Sequence, residues 1–321
     1  MTSLAAIRAA AARLDGHAAL TPLLHAPLLD RFAGRRVLIK AECLQRTGSF
    51  KYRGARAALT LLPSGTKGVL AFSSGNHAQG VALAASELGL PAVILMPDDA
   101  PSVKIDNTRA YGAEVILYDR ATTDRDALGA DLGARRQLHL VRPFDDPDVI
   151  AGQGTVGLEI ASQAASRGIT DADVIVCCGG GGLASGTGLA LAALAPGMRL
   201  LTAEPAGFDD MARSLALGQS QRNAAATGSI CDAILTPEPG RITFPILQSL
   251  HAKGLTVTDA EAMHAMALAF HHLRIVLEPG GAVALAAALF REDVGDTCIC
   301  TASGGNVDPD VFRAALDSSP V

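Results

Sequence analysis

The sequence predicts an α/β fold of two lobes, each a mainly parallel sheet flanked by helices, and three observations predict it. Short apolar, β-rich runs alternate with longer stretches of helical periodicity, and such βαβ units close as parallel sheets with right-handed crossovers. Of 321 residues, 49% are hydrophobic but only 4% aromatic, with no tryptophan and 33 glycines, so the core is built from small aliphatic side chains that let helices approach a sheet closely. Proline and glycine punctuate residues 63–68 and 142–147. The reading is therefore a large domain formed by residues 1–63 and 149–321, with a small domain, 68–147, inserted between them.

The elements follow in chain order. Residues 1–14 form an alanine-rich run, amphipathic about Arg8 and Arg13, without the charged-then-apolar order of a signal peptide. Strands are expected at 69–72, 92–96, 114–118, 174–178, 200–203 and 297–301. Between the first two, Val81, Ala84, Ala85 and Leu88 carry the i, i+3, i+4, i+7 stripe of a helix over 76–88. Further helical patterns run over 259–274 and 281–290. The last strand leads directly into Ser303-Gly304-Gly305-Asn306.

A net charge of -5 with 18% charged residues leaves no basic excess to neutralise phosphates, so nucleic acid is not an expected partner. No uncharged apolar run approaches the ~18 residues a membrane helix needs, which implies no membrane association and a cytoplasmic chain. The six cysteines, Cys43, Cys177, Cys178, Cys231, Cys298 and Cys300, lack CxxC spacing and read as buried reduced thiols, with no structural zinc expected.

Residues 174–178 enter Gly179-Gly180-Gly181-Gly182-Leu183-Ala184-Ser185-Gly186, a strand running into a glycine-rich turn that opens a helix. Four consecutive glycines expose backbone amides, and the helix start adds partial positive charge, so a phosphate is expected there. Which phosphate stays open at this point. Gly179, Gly181 and Ala184 fit the G-x-G-x-x-A dinucleotide fingerprint, and Glu204 closes the next strand about where a ribose-binding acid would lie; an NAD-dependent dehydrogenase is one reading.

Nearer the amino end, Gly48-Ser49-Phe50-Lys51-Tyr52-Arg53-Gly54-Ala55 sets a lysine among small and aromatic residues. Loss of hydration there lowers the amine's pKa toward a nucleophilic form. Downstream stand Ser73-Ser74-Gly75-Asn76-His77, the glycine turn and Ser303-Gly304-Gly305-Asn306. In this order and spacing the segments resemble the fold type II pyridoxal-phosphate enzymes, in particular the serine/threonine dehydratase family with its serine-racemase-like branch. The resemblance runs from Thr21-Pro22-Leu23 to Asn306-Val307-Asp308 and takes in Ala151-Gly152-Gln153-Gly154-Thr155 and Glu278-Pro279-Gly280-Gly281-Ala282.

It implies pyridoxal 5'-phosphate on Lys51 as a Schiff base. The phosphate would lie on Gly179, Gly180, Gly181, Gly182 and Leu183, with Asn76 at the ring oxygen and Phe50 beside the ring. Ser303 would meet the ring nitrogen. A hydroxyl there leaves that nitrogen largely unprotonated, which favours β-elimination over transamination. Ser73, Ser74, Gly75, Asn76 and His77 are implied to bind the substrate carboxylate from a turn that caps the next helix. Ser74 matches the acid/base opposite the lysine in serine racemase, so it joins Lys51 as a catalytic candidate. Glu204, Asp210 and the carbonyl of Phe208 are implied ligands of a divalent cation, magnesium or calcium, whose oxygen preference they suit.

The expected activity is dehydration of a β-hydroxy-α-amino acid, L-threonine or L-serine, to an α-keto acid and ammonia, by a homodimer. Alternatives on the same scaffold are a 3-hydroxyaspartate dehydratase and a serine- or aspartate-type racemase. Two departures stand out: Asp232-Ala233 replaces a common Asp-Gly, and Arg142 precedes Pro143-Phe144-Asp145-Asp146, where a cation at the site mouth would favour a substrate with a distal carboxylate.

Overall fold

The structure, a computed structural model, describes residues 2–100, 102–119 and 121–318. In chain order its strands are β1 (Leu23–His25), β2 (Arg36–Lys40), β3 (Val69–Phe72), β4 (Ala92–Pro97), β5 (Glu114–Tyr118), β6 (His139–Leu140), β7 (Ala172–Cys177), β8 (Met198–Pro205), β9 (Lys253–Val257) and β10 (Thr297–Thr301). The helices are α1 (Leu4–Leu14), α2 (Pro27–Ala33), α3 (Lys51–Leu59), α4 (Asn76–Glu87), α5 (Ser102–Ala110), α6 (Arg125–Arg136) and α7 (Pro147–Ala165). They continue with α8 (Gly182–Leu194), α9 (Asp210–Leu217), α10 (Thr243–Ser249), α11 (Asp259–Leu273), α12 (Pro279–Phe290) and α13 (Pro309–Asp317).

The strands form two sheets, one ordered β1-β2-β10-β7-β8-β9 and one ordered β5-β4-β3-β6. All pairings are parallel except β1 against β2, where Leu23 to His25 fold back on Leu38 to Lys40. Parallel strands covered on both faces must be apolar throughout rather than alternating, and β4 and β7 are buried at every position.

The expected strands at 69–72, 114–118 and 297–301 have those bounds, and the other three lie within or against longer strands. Strands β1, β2, β6 and β9 were not expected: β1 and β6 are too short to show periodicity, whereas Val37-Leu38-Ile39 of β2 and the polar-apolar alternation of β9 are strand signals in the sequence.

Small residues set the helix packing. A Cβ on Gly186 of α8 would lie 2.4 Å from the Ile150 carbonyl and 2.5 Å from the Gly154 amide of α7, so these two helices cross almost backbone to backbone. Helix α7 is launched by Asp146, whose side chain accepts from the amides of Asp148 and Val149, with Pro147 at the first helical position. Helix α11 starts with a full capping box, Thr258 and Glu261 each satisfying the other's amide.

Below α3 lies a buried ionic network. Arg53 donates to both carboxylate oxygens of Glu42 at 2.8 and 2.9 Å and to both of Glu159 at 2.6 and 2.9 Å. Lys40 donates to Glu159 at 2.5 Å and to the Thr21 carbonyl at 2.7 Å. With Lys40, Glu42 and Arg53 shut off from solvent, the network fixes the first turn of α3 against β2 and α7.

Candidate active site

A cavity of about 260 Å³ opens at the carboxyl ends of β3, β7 and β10, where parallel sheets characteristically bind ligands. Its lining brings together Phe50, Lys51, Ser73, Ser74, Gly75, Asn76, His77, Gly179, Gly180, Gly181, Gly182, Leu183 and Ser303. Glu204, Phe208 and Asp210 lie elsewhere, at the end of β8 and the start of α9.

Lys51 is the first residue of α3. Its ammonium donates to the Pro143 carbonyl at 2.9 Å and sits 5.2 Å from the centre of the Phe50 ring. Burial lowers its pKa to about 8, against the opposing pull of the Glu278 carboxylate. This is the desolvation anticipated from the small and aromatic neighbours in sequence.

The glycine turn lines the same cavity as Lys51. Gly181 adopts φ +90° and precedes α8, which no side chain caps, so the first amides of that helix are presented to the cavity. A Cβ on Gly180 would lie 2.3 Å from the Phe144 ring, and one on Gly181 2.8 Å from Thr243 Oγ1 and Met211 Cε. The turn thus fits an anion held by backbone alone.

Helix α4 makes a second such start. Its N-cap is Gly75, with no capping side chain; Ser73 Oγ instead accepts from the Gly75 amide at 3.1 Å. Ser73 therefore shapes the turn, Gly75 within that turn is the N-cap, and the helix amides remain for an anion. His77 donates from Nε2 to the Val141 carbonyl at 3.0 Å, and burial lowers its pKa to about 3, so its ring is neutral and already engaged.

Asn76 bridges the sheets, donating to Glu278 Oε1 at 2.5 Å and accepting from Asn306 Nδ2 at 2.7 Å. Ser303 is pinned to the Lys51 segment: the Phe50 amide donates to its carbonyl at 3.1 Å, and Ser49 bridges Gly304. Beside it, buried Cys177 donates to the Thr301 and Gly281 carbonyls at 3.3 and 3.4 Å, and burial raises its thiol pKa.

Sequence reasoning quoted Glu278 only as part of a motif. It is buried in the cavity wall, and desolvation raises its pKa to about 7. Lys104, Asp232 and Phe144 also line the cavity. Lys104 carried no signal because α5 is remote in sequence from every other wall. Arg142 is exposed and absent from the lining, which holds Lys104 instead.

At the start of α9, both Glu204 oxygens accept backbone amides, from Met211 at 3.0 Å and Ala212 at 2.7 Å. Asp210 accepts from Asn223 at 2.7 Å through Oδ1, while its buried Oδ2 has no hydrogen-bond partner. Desolvation and the neighbouring Asp210 hold the Glu204 pKa well above the carboxylate range, and burial raises Asp210 to about 6. Glu204 is absent from the cavity that the glycine turn lines, so it is not placed to hold the ribose of a dinucleotide bound there, which removes the nicotinamide reading. All six cysteines are free and buried, as expected.

A lysine with a depressed pKa in one cavity with a phosphate cradle, on two parallel sheets, defines an enzyme that works through an aldehyde-bearing phosphate cofactor. The chain belongs to the pyridoxal-phosphate dependent enzyme family, whose pattern matches residues 14–304. It is 43% identical over 311 residues to L-threo-3-hydroxyaspartate ammonia-lyase of Pseudomonas sp, covering 96% of each chain. It is 37% identical to serine racemase of Oryza sativa subsp. japonica, covering 97% of this chain and 92% of that one. The structure of T.th. threonine deaminase superimposes with a TM-score of 0.91 at 44% identity, covering 95% of this chain and 99% of that one.

Pyridoxal phosphate is therefore the cofactor, and the cavity fits it. The glycine turn suits its phosphate and the Lys51 amine its aldehyde, and Ser303 lines the same cavity. Among the described residues no helix is long and apolar enough to cross a membrane.

Proposed function

We propose that the protein is an ammonia-lyase that dehydrates a β-hydroxy-α-amino acid, L-serine, L-threonine or threo-3-hydroxyaspartate, to an α-keto acid and ammonia. The observation that carries the reading is the Lys51 amine, its pKa near 8, in one cavity with the Ser303 hydroxyl and the uncapped start of α4. The names of the relatives, hydroxyaspartate and threonine ammonia-lyases, support the reaction class.

The cofactor, once bound, supplies an electron sink for the bond broken at the α-carbon. The protein supplies the rest. Lys51 Nζ takes the α-proton and the turn 73–77 holds the substrate carboxylate on the α4 amides. Ser303, which lines the cavity, would meet the cofactor's ring nitrogen with a hydroxyl rather than a carboxylate and so would favour loss of the β-hydroxyl over transamination. Residues 68–147, with the four-stranded sheet, act as the small domain that closes over substrate and excludes water. Ser74, which also lines the cavity, returns a proton to the opposite face, giving a racemase side reaction like that named for the serine racemase relatives.

Glu204, Asp210 and the Phe208 carbonyl take up a divalent cation, magnesium or calcium. Two buried carboxylates, Glu204 with its proton affinity raised by Asp210 and Asp210 with an unpartnered oxygen, fit a hard cation. We assign the assembly as a homodimer, and six unbonded cysteines suit the reducing cytoplasm.

The test is a keto-acid assay with the three substrates, with and without Lys51→Ala. Yellow protein and keto-acid release that vanish together in the variant support the reading; colourless protein, or yellow protein that acts on none of the three, refutes it. For the cation, chelator lowers and magnesium restores the melting temperature; an unchanged melting temperature removes the site.

A further inference from the structure

The cavity is partitioned by an ion pair that crosses between the two sheets. Lys104, on α5 beside the four-stranded sheet, donates to Asp232 on the six-stranded side at 2.9 Å. Both residues line the active cavity, and both, with Glu278, also line an adjoining cavity of about 520 Å³. The pair is lopsided: the Lys104 side chain is 18% exposed and the Asp232 side chain 62%. Asp232 can turn into water at little cost, whereas Lys104 stays in the cleft and needs an anion.

The geometry points to Lys104 as the residue that recognises the distal carboxylate of a dicarboxylic substrate, which displaces Asp232 as its partner. This deepens the ammonia-lyase reading and rests on it. The other basic groups in the lining are committed: Lys51 to the cofactor, and His77, a neutral ring, to Val141. Exchanging one carboxylate for another leaves the charge count of the cleft unchanged, so the distal carboxylate enters without stranding a cation. A substrate with a neutral β-substituent leaves the Lys104–Asp232 pair intact. One cavity then serves both substrate types, and the space beyond the pair gives the longer substrate room.

The experiment uses holoenzyme and the ratio of kcat/KM for threo-3-hydroxyaspartate to that for L-serine. Lys104→Met is expected to lower this ratio by about tenfold or more, the scale of one charge-assisted pair, mainly through KM, and Lys104→Arg to restore part of it. Succinate binding, read by calorimetry, is expected to weaken in Lys104→Met while propionate binding holds. Arg142→Gln is expected to leave the ratio unchanged. An unchanged ratio in Lys104→Met overturns the inference, as does an equal fall in Arg125→Gln, where the guanidinium stacks on Phe72 at 5.4 Å. Wild-type enzyme that turns over serine but not hydroxyaspartate overturns it while leaving the ammonia-lyase reading in place; failure on all substrates overturns both.

Discussion

The pKa of the Lys51 amine is the quantity on which the site turns, and it can be moved. An ordinary lysine, at 10.5, is about 0.03% unprotonated at pH 7, whereas one at about 8 is about 9% unprotonated, roughly a 300-fold gain in nucleophile. Burial produces this gain and the Glu278 carboxylate opposes it. Glu278→Gln keeps an acceptor for Asn76 but removes the negative charge, so the Lys51 pKa should fall below 8. The assay is the initial rate at which cofactor-free enzyme captures added pyridoxal phosphate, followed by visible absorbance from pH 6 to 10. The native rate should rise to a plateau with a midpoint near 8, the Glu278→Gln midpoint should lie lower, and Lys51→Ala should give no signal. A native midpoint near 10, or an upward move in Glu278→Gln, would refute the argument that desolvation sets the amine.

The same Glu278 makes a stability prediction. Its pKa is raised from 4.5 to about 7 in the folded state, so the native protein holds a proton that the unfolded chain releases between those values. Native stability from this group therefore falls as pH rises from about 4.5 to 7, by up to about 3 kcal/mol, and is flat above. Denaturant titrations should show Glu278→Gln gaining on the native protein across that window, and a constant difference would contradict it. Gly181→Ala forces a side chain into φ +90° beside Thr243 and Met211, at about 1–2 kcal/mol for the backbone alone. Its cofactor dissociation constant should rise and its melting temperature drop, and native values in both would contradict the cradle. Arg53→Met leaves Glu42 buried without its cation, so unfolding free energy should fall by about 3–5 kcal/mol. A loss no larger than that of Arg313→Ala, an exposed pair with Asp310, would contradict it.

Much of the cavity was legible in the sequence because its parts are local. Phe50-Lys51, the turn 73–77, the glycine turn and Ser303 each sit where a strand ends or a helix begins, and such junctions are written in short motifs. What the sequence hid depends on distance. Lys104 gains meaning only when α5 is laid against Asp232, and Arg142, next to the cavity in sequence, is exposed outside its lining. Within the turn 73–77 the sequence did not show that the Ser73 hydroxyl closes on the Gly75 amide and leaves Gly75 as the N-cap. The short edge strands β1 and β6 were lost because pairing, rather than composition, makes them strands.

The last strand in sequence, β10, is a central one in space, lying between β2 and β7. A ribosome therefore releases both neighbours long before the strand that joins them. Until residues 297–301 emerge, β2 and β7 each present an unpaired edge, and Ser303 cannot meet Phe50. The cavity thus gains its Ser303 wall only when the last of these strands joins the sheet. A chain cut short before β10 should therefore expose two unpaired strand edges and be prone to aggregate rather than act as a weaker catalyst.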